Sequence, residues 1–256
     1  YAVLPSELLS LVDELTGLGI SVSDPEGLLK EKLLPVKPVL KNIELRDYQK
    51  EALDKWIENK YRGVIALPTG SGKTIIGIAA FTLKPVRTLI IAYTREQVFQ
   101  WRETIVKYTN IDPVHIGLIH SGEKKIGHIT ITTYQSGYRI INEISPYFDL
   151  LIVDEVHHLP AEKFRHIAVH SIARYRMGLS ATPVREDGRH VELFPLLGGI
   201  VYYKSPEELA GKGYLARYVI ETVKVKLARE EMEEFEKLRR EYKKLVGSAK
   251  FSEVLE

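Results

Sequence analysis

Short aliphatic runs alternate with amphipathic segments between residues 43 and 203. The runs of strand length are Gly63–Leu67, Thr88–Tyr93, Val114–Ile119, Ile129–Thr133, Leu150–Val153, Met177–Leu179 and Ile200–Tyr203. Helical spacing appears between them, for example in Arg95–Tyr108, where Val98, Trp101 and Ile105 recur on one face. Runs such as Leu150–Val153 are apolar throughout, as in strands that are buried on both sides. The pattern predicts an α/β fold with a parallel sheet covered by helices on both faces.

The flanking segments carry helical signals of their own. In residues 1–42, Ser6 precedes an amphipathic stretch that Gly17 ends, and Asp24-Pro25 is typical of a second helix start. We therefore interpret residues 1–42 as a helical lead-in or the remnant of an N-terminal domain. Beyond residue 205 the chain predicts a capped helix and then a long charged helix over Arg229–Val246. Because the chain starts without Met and ends after this helix, we expect it to be part of a longer protein.

Composition excludes several classes of protein. Apolar residues make up 45% of the 256 and charged residues 27%, which is ordinary for a globular domain and unlike a disordered chain. The sequence contains no cysteine, which excludes disulfides, thiolate metal sites and a cysteine nucleophile. It also contains no apolar run of about 18 residues, so we predict an intracellular protein without a membrane span. A net charge of +2 does not by itself indicate nucleic-acid binding.

The strongest chemical signal lies between a predicted strand and a predicted helix and reads Leu67-Pro68-Thr69-Gly70-Ser71-Gly72-Lys73-Thr74. Glycines let a backbone wrap around phosphates with its N–H groups pointing inward, and a helix N-terminus behind the loop stabilises the negative charge. Lys73 supplies a cation for the β- and γ-phosphates of ATP, and Thr74 supplies a hydroxyl for Mg²⁺. Leu67 replaces the usual first Gly. We interpret the segment as an ATP-binding loop; the alternative is a Gly-rich turn with an exposed lysine.

An acidic pair, Asp154-Glu155, directly follows Leu150–Val153. Ligands of open α/β sheets bind at the carboxyl ends of the strands. We therefore predict that Asp154 holds Mg²⁺ and that Glu155 polarises the attacking water, the alternative being a solvated strand end. His157 is predicted to couple the nucleotide site to the rest of the protein. A zinc site is disfavoured, because adjacent histidines chelate poorly and cysteine is absent.

Two weaker signals accompany these motifs. Gln49 lies 24 residues before Lys73, and a Gln amide pairs with both a donor and an acceptor of adenine. Arg46 is predicted to stack on the same base, the alternative for both residues being an ordinary helix start. Ser180-Ala181-Thr182 begins 26 residues after Asp154, and its hydroxyls are predicted to bond across to the acidic pair.

Together these motifs resemble the first RecA-like motor domain of superfamily 2 helicases, and more narrowly the XPB (Rad25) family, over about residues 43–215. The narrower resemblance rests on Leu45–Gln49, on Asp154-Glu155-Val156-His157 and on Arg185-Glu186-Asp187. It implies a RecA-like P-loop NTPase domain over residues 43–205. It also implies that residues 206–256 are a helical link towards a second RecA-like domain, which is missing from this chain.

The resemblance implies contacts with duplex or forked DNA. Thr94 and Arg95 follow one predicted strand, Thr132 and Thr133 end another, and all four fall where the family contacts the DNA backbone. For the threonines, the alternative is simple capping of the helices that follow. In the family, the triplet Arg185-Glu186-Asp187 is implicated in engaging or separating duplex DNA.

We therefore predict an ATP-dependent DNA helicase or translocase of repair or transcription, with a nuclease or a transcription and repair assembly as partner. It would lie in the cytoplasm of an archaeon or bacterium, or in the nucleus of a eukaryote. Because the family's arginine fingers lie in the second domain, this chain alone is predicted to hydrolyse ATP very slowly. The alternatives are an RNA helicase, a restriction-type translocase and a nucleotide-binding scaffold without turnover. The triplet disfavours the first two, and Lys73, Asp154 and Glu155 disfavour the third.

Overall fold

The sheet and its helices are described by a computed structural model that covers residues 3–158, 161–185, 188–216 and 228–246. The strands in these residues are β1 Arg62–Ala66, β2 Thr88–Ala92, β3 Ile116–His120, β4 Glu123–Lys124, β5 Ile129–Thr133, β6 Leu150–Val153, β7 Tyr175–Ser180 and β8 Ile200–Tyr203. The helices are α1 Leu8–Gly17, α2 Asp47–Glu58, α3 Lys73–Leu83, α4 Arg95–Tyr108, α5 Tyr134–Ile144, α6 Ala161–His170, α7 His190–Leu193, α8 Pro206–Gly211 and α9 Arg229–Val246. All seven predicted strands are confirmed, and the short β4 was not predicted.

The described strands form one sheet in the order β4-β3-β5-β2-β6-β7-β1-β8. The pairs are parallel, except that the edge strand β4 is antiparallel to β3. Because parallel strands end at the same edge of the sheet, the residues that follow β1, β6 and β7 come together. The loops after β2, β3 and β5 meet further along that edge.

Successive residues of the central strands pack into two separate cores. On one face, Ile65 and Ile90 pack in the same cluster as residues of α2, α3 and α4. On the other, Val64, Leu89 and Ile91 pack with residues of α5 and α6. Strand side chains alternate between the two faces of a sheet, so wholly apolar strands require a cover on both. The predicted sheet with helices on both faces is therefore confirmed.

The segment before α2 is only partly helical. The helix predicted after Ser6 is confirmed as a short 3₁₀ turn followed by α1. The second helix start at Asp24 is wrong: both carboxylate oxygens of Asp24 accept N–H groups, from Leu28 at 2.8 Å and Leu29 at 2.9 Å. Gly27 in this turn has φ of +69°, which no right-handed helix adopts. The local side-chain bonds and the left-handed glycine therefore close a turn.

Residues 31–41 run past the starts of β2 and β6 to the end of α4, and Leu33 and Leu40 form isolated β-bridges with Val86 and Thr109. Lys32 N donates to Asp149 Oδ2 at 2.6 Å, and Arg87 N donates to Lys32 O at 2.7 Å. Lys41 N donates to Tyr108 O at 2.8 Å. These backbone contacts attach the segment to the strand starts and to the end of α4.

Contacts divide the chain into two units, Tyr1–Arg217 and Tyr218–Glu256. The described part of the second unit includes α9, so the predicted charged helix is confirmed. The capping box predicted at the start of α8 is also confirmed, with Ser205 Oγ accepting from Glu208 N and Glu208 Oε2 accepting from Ser205 N. No helix in the described ranges has the length and apolar character that crossing a bilayer requires.

A buried arginine ties β7 to its covering elements. Arg176 is 1% exposed, and its guanidinium donates to the carbonyls of Ala168, Ser171, Ala173 and Leu196 at 2.7–3.1 Å. Two of these carbonyls lie at and just beyond the end of α6, where backbone acceptors lack partners within the helix. Arg176 therefore closes that helix end against the sheet.

We expect Arg176→Met to lower the free energy of unfolding by about 3 kcal/mol or more, because it leaves several buried carbonyls without a donor. Urea unfolding followed by circular dichroism measures this as a lower midpoint at unchanged slope. Arg174→Met is the matched control, since among the described residues the Arg174 guanidinium donates to one backbone carbonyl, that of Leu29, at 3.2 Å. We expect the control to cost about 1 kcal/mol. Equal losses in the two variants would contradict this role for Arg176.

Candidate nucleotide and polynucleotide sites

The Gly-rich loop connects β1 to α3 and is held by left-handed glycines. Gly70 and Gly72 have φ of +81° and +80°, which favour glycine. A Cβ at Gly72 would lie 2.7 Å from Gln49 Nε2. Leu67 is fully buried, and its N–H extends the β1 pairing to Ser180 O at 2.9 Å. The departure from the usual first Gly therefore falls on a residue of the core.

Lys73 points back over the loop towards the acidic pair. Its Nζ donates to Leu67 O at 3.1 Å and lies 3.8 Å from Glu155 Oε1. The side chain is 8% exposed, so this cation is largely shielded from water. The loop and the acidic pair thus meet in one site, as the sequence predicted they would.

The acidic pair adopts a constrained conformation. Asp154 is 6% exposed; its Oδ2 accepts from Trp101 Nε1 at 2.7 Å, and its Oδ1 accepts from Glu155 N at 2.9 Å. Glu155 has φ of +46°, a left-handed conformation that costs a non-glycine residue free energy. Glu155 Oε2 is buried and has no hydrogen-bond partner among the described residues. That oxygen therefore has free capacity to accept a proton or a hydrogen bond.

Burial controls the charge of Asp154. It raises the pKa of this carboxyl to about 6, and the nearby Glu155 charge acts in the same direction, whereas the Trp101 hydrogen bond and Lys73 lower it. Removing a carboxylate from water disfavours its ionised form, and a neighbouring cation restores it. Asp154 and the Thr74 hydroxyl are the oxygen donors that Mg²⁺ prefers, so these residues fit that ion.

A cavity of about 360 Å³ lies between the loop, the acidic pair and α4. Its lining residues are Thr69, Gly70, Gly72, Lys73, Thr74, Gln97, Gln100, Trp101, Asp154 and Glu155. Sequence reasoning missed Gln97, Gln100 and Trp101, which belong to α4. It treated α4 as a core helix and assigned Trp101 to its apolar face. The signal that was available is the indole N–H, which needs a hydrogen-bond partner when the ring is buried.

His157 lies beside the acidic pair and is neutral at physiological pH. Burial lowers the pKa of this imidazole to about 4, with contributions from His158, Lys73 and Arg185. Its Nδ1 accepts from Ala181 N at 3.3 Å and lies 3.1 Å from Ser180 Oγ and 3.4 Å from Glu155 Oε2. Because Nδ1 is an acceptor, the approach to Glu155 is not an ion pair. His157 thus connects the end of β7 to the residue after Asp154.

Arg46 and Gln49 lie behind the loop and do not line this cavity. Gln49 is 4% exposed; its Oε1 accepts from Arg46 N at 2.9 Å and its Nε2 donates to Ser71 O at 3.1 Å. Arg46 Nη1 donates to Tyr48 Oη and to Tyr214 O, both at 3.2 Å. In this structure both side chains therefore brace the loop and α2.

A second cavity, of about 410 Å³, lies at the ends of β2, β3 and β5. Its lining residues are Tyr93, Thr94, Arg95, His120, Ser121, Thr133, Tyr134, Gln135, Ser136 and Arg139. It brings together Thr94, Arg95 and Thr133 from the predicted DNA contacts. The capping alternative also holds, since Thr94 accepts from Gln97 N and Thr133 from Ser136 N, both at 3.3 Å.

Two of the predicted DNA contacts are buried. Thr132 is fully buried and its hydroxyl donates to Ile119 O at 2.8 Å, because alternate residues of β5 face the core. Arg185 is 5% exposed, and its Nη1 donates to Val156 O at 2.8 Å, which places the guanidinium under the loop after Asp154. Neither side chain is at the surface that the prediction required. Glu186 and Asp187 lie outside the described residues.

Comparisons with known proteins identify the family to which this chain is similar. A family model described as "Type III restriction enzyme, res subunit" matches residues 42–185. The "DNA 3'-5' translocase XPB2" of Sulfurisphaera tokodaii is 46% identical, over 84% of this chain and 48% of its own length. The "General transcription and DNA repair factor IIH helicase/translocase subunit XPB" of Enterocytozoon bieneusi is 33% identical, over 75% of this chain and 35% of its own length.

The fold has a counterpart among solved structures. The UvsW helicase of bacteriophage T4 superposes with a TM-score of 0.56 at 21% identity, over 78% of this chain and 79% of that one. The chain spans less than half the length of the two sequence relatives. Because the family model covers more than half of the chain, the chain belongs to this family, and within it to the XPB/Rad25 type of superfamily 2 motor domain.

Proposed function

We propose that this chain is the first motor domain of an ATP-driven DNA 3'-5' translocase or helicase. The names of its relatives support this activity, and one observation carries it: Lys73 and the acidic pair face each other across a single cavity at the strand ends. The chain uses a phosphate-binding backbone on one side and carboxylates on the other. That combination suits hydrolysis of a nucleoside triphosphate.

The loop and α3 supply the binding of the triphosphate. Backbone N–H groups of residues 70–74 and the start of α3 stabilise phosphate charge. Lys73 exchanges its bond with Leu67 O for a phosphate oxygen. Thr74 and Asp154 would hold Mg²⁺, which neutralises phosphate charge when bound. Glu155 orients the attacking water and accepts its proton at Oε2, the buried oxygen without a partner.

Recognition of adenine by Gln49 and Arg46 stays a proposal. The Gln49 amide already bonds the loop through Ser71 O, so a base at this position would have to share or replace that bond. In either case the hydrogen bond between Gln49 and the loop would depend on whether the base is bound.

The second cavity is proposed to take the DNA backbone. Arg95 and Arg139 supply cations, and Thr94, Thr133 and Ser136 supply hydroxyls, around one concave surface. Such groups suit phosphate oxygens and carry no sequence information, as movement along duplex or forked DNA requires. Because Arg185 is buried, we propose that the triplet Arg185-Glu186-Asp187 acts by holding the shape of the loop after Asp154, whose Val156 carbonyl accepts from Arg185.

The relatives are more than twice as long as the matched part of this chain, so the whole activity involves residues that are not in it. We propose residues 43–205 as the motor domain and 206–256 as the link to a second RecA-like domain. A repair or transcription assembly, or a nuclease, is the proposed partner class, since one relative is named as a subunit of factor IIH. Acting on DNA, the protein would work in the cytoplasm or, in a eukaryote, the nucleus.

Three alternatives predict different results. An RNA helicase would be stimulated by RNA more than by duplex DNA. A restriction-type translocase, for which the restriction-enzyme subunit named in the family description would speak, would act with a nuclease on specific DNA. A nucleotide-binding scaffold would bind ATP without hydrolysis even in the complete protein. The XPB names of both relatives favour the first proposal over all three.

We expect this chain alone to hydrolyse ATP very slowly, because the arginine finger supplied in trans accounts for about 10³–10⁵ of the rate in related enzymes. Phosphate release at saturating MgATP measures the turnover, with and without duplex DNA. Lys73→Ala is the control for contaminating ATPase. Turnover above about 1 s⁻¹ that depends on Lys73 would contradict the need for a second domain.

We expect Glu155→Gln in the complete protein to lower DNA-stimulated turnover by about 10²–10⁴-fold, because it removes the general base. ATP affinity, measured by calorimetry, should stay within a few fold of wild type. Glu162→Gln, on the exposed start of α6, is the matched control and should leave both unchanged. A Glu155→Gln protein with undiminished turnover would remove catalysis from this site.

We expect Arg95→Gln and Arg139→Gln each to weaken duplex DNA binding and to reduce the slope of log K against log salt by about 1, because each removes one phosphate contact. Fluorescence anisotropy at several salt concentrations measures this slope. Arg102→Gln is the control, since Arg102 is exposed on the same helix as Arg95 but does not line the cavity. Equal effects from all three would show general charge attraction and no site.

A further inference from the structure

The ring of Trp101 is buried in the hydrophobic core, but its one polar atom bonds a carboxylate. The side chain is 1% exposed, and Nε1 donates to Asp154 Oδ2 at 2.7 Å. A buried indole needs one acceptor, and a backbone carbonyl is sufficient, as Trp56 shows with Arg176 O at 2.8 Å. Trp101 instead donates to the carboxylate of Asp154, which lines the cavity of about 360 Å³ beside the Gly-rich loop. We call this cavity, proposed above to bind the triphosphate, the nucleotide cavity.

The packing of α3 against α4 fixes the indole in place. A Cβ at Gly77 of α3 would lie 2.5 Å from Cη2 of Trp101, so the ring occupies the space that any other residue would need. The indole is therefore held from behind by the helix that starts with Lys73. With the ring held in this way, its N–H points towards Asp154.

The carboxylate of Asp154 is oriented by two donors. Trp101 Nε1 bonds Oδ2, and Glu155 N bonds Oδ1 at 2.9 Å. Each oxygen retains acceptor capacity towards the cavity. Groups that hydrogen-bond a metal-binding side chain set its orientation, and their removal lowers metal affinity.

We propose that Trp101 is a positioning residue for Asp154, which fixes the carboxylate in the orientation that a nucleotide-bound divalent cation needs. This inference rests on the proposed function, since it concerns the same cavity. In this role Trp101 acts through the Asp154 carboxylate, to which its Nε1 donates.

Helix α4 gives this contact a second consequence. Its N-cap Thr94 and first residue Arg95 line the cavity proposed for the DNA backbone, and Gln97, Gln100 and Trp101 line the nucleotide cavity. One rigid helix of 14 residues therefore borders both cavities. A shift of α4 on DNA binding would reach Asp154 through the indole N–H.

The test compares ADP binding to this chain with Mg²⁺ and with EDTA, by calorimetry. In the wild type, Mg²⁺ should increase ADP affinity. Trp101→Phe should reduce that Mg²⁺-dependent increase by roughly tenfold and leave metal-free affinity unchanged, because only the orientation of Asp154 is lost. Trp56→Phe, which also removes a buried indole donor, is the matched control and should behave as wild type.

The outcomes separate this inference from the proposed function. A wild type that binds no ADP in either buffer overturns the nucleotide site itself. A wild type with a Mg²⁺-dependent increase that Trp101→Phe fully retains overturns only the role of Trp101. Loss of metal-free affinity in Trp101→Phe also overturns it, since that result indicates general damage to the cavity.

A second measurement does not need Trp101→Phe and so covers the case in which that variant does not fold. Mn²⁺ replaces Mg²⁺ in the ADP complex, and the two indole N–H signals are followed by ¹⁵N NMR. The Trp101 signal, identified by its persistence in Trp56→Phe, should be broadened away at one equivalent of Mn²⁺. The Trp56 signal should persist, because its indole bonds the second residue of β7, near the opposite end of the strands. A sharp Trp101 signal in the Mn²⁺ complex would overturn the proposal.

Discussion

Close packing at Gly178, in the centre of β7, joins the strands that lead to the Gly-rich loop and to the acidic pair. Gly178 pairs with Val64 of β1 on one side and with Val153 of β6 on the other. The acidic pair follows β6 directly at this level, whereas β1 continues to Ala66 before the Gly-rich loop begins. A Cβ at Gly178 would lie 2.9 Å from Val64 Cγ2 and 2.8 Å from Leu197 Cδ1. A larger residue would therefore displace the side chains of Val64 and Leu197.

The same site contains features that oppose stability. Asp154 is a nearly buried carboxylate, Glu155 has a left-handed backbone conformation, and a buried oxygen of Glu155 has no partner among the described residues. Each costs free energy in the folded chain. The four carbonyls around Arg176 form a buried polar cluster that the protein itself satisfies. At the acidic pair, costs of this kind are expected where a charged ligand supplies the missing interactions.

The sequence was sufficient for the strands, the layering and the position of the Gly-rich loop between β1 and α3, because periodicity and glycine placement determine these locally. It was insufficient where the direction of a side chain depends on tertiary packing. Thr132 and Thr133 are adjacent, yet β5 buries one and presents the other to a cavity. Arginine is usually an exposed residue, but the guanidinium of Arg185 is buried and donates to Val156 O. Asp24 has the sequence of a helix cap and closes a turn, because Gly27 reverses the chain.

Trp101 illustrates the same limit at a residue whose burial the sequence does predict. Its spacing with Val98 and Ile105 assigns it to the core, and the ring is indeed in the core. What spacing cannot supply is the acceptor of its N–H, because Asp154 lies 53 residues away, directly after β6. An apolar ring with one polar atom satisfies both requirements at once: the ring seals α3 against α4, and the N–H reaches the carboxylate. Phenylalanine would meet only the first requirement, which is why the identity of this residue carries information about chemistry as well as packing.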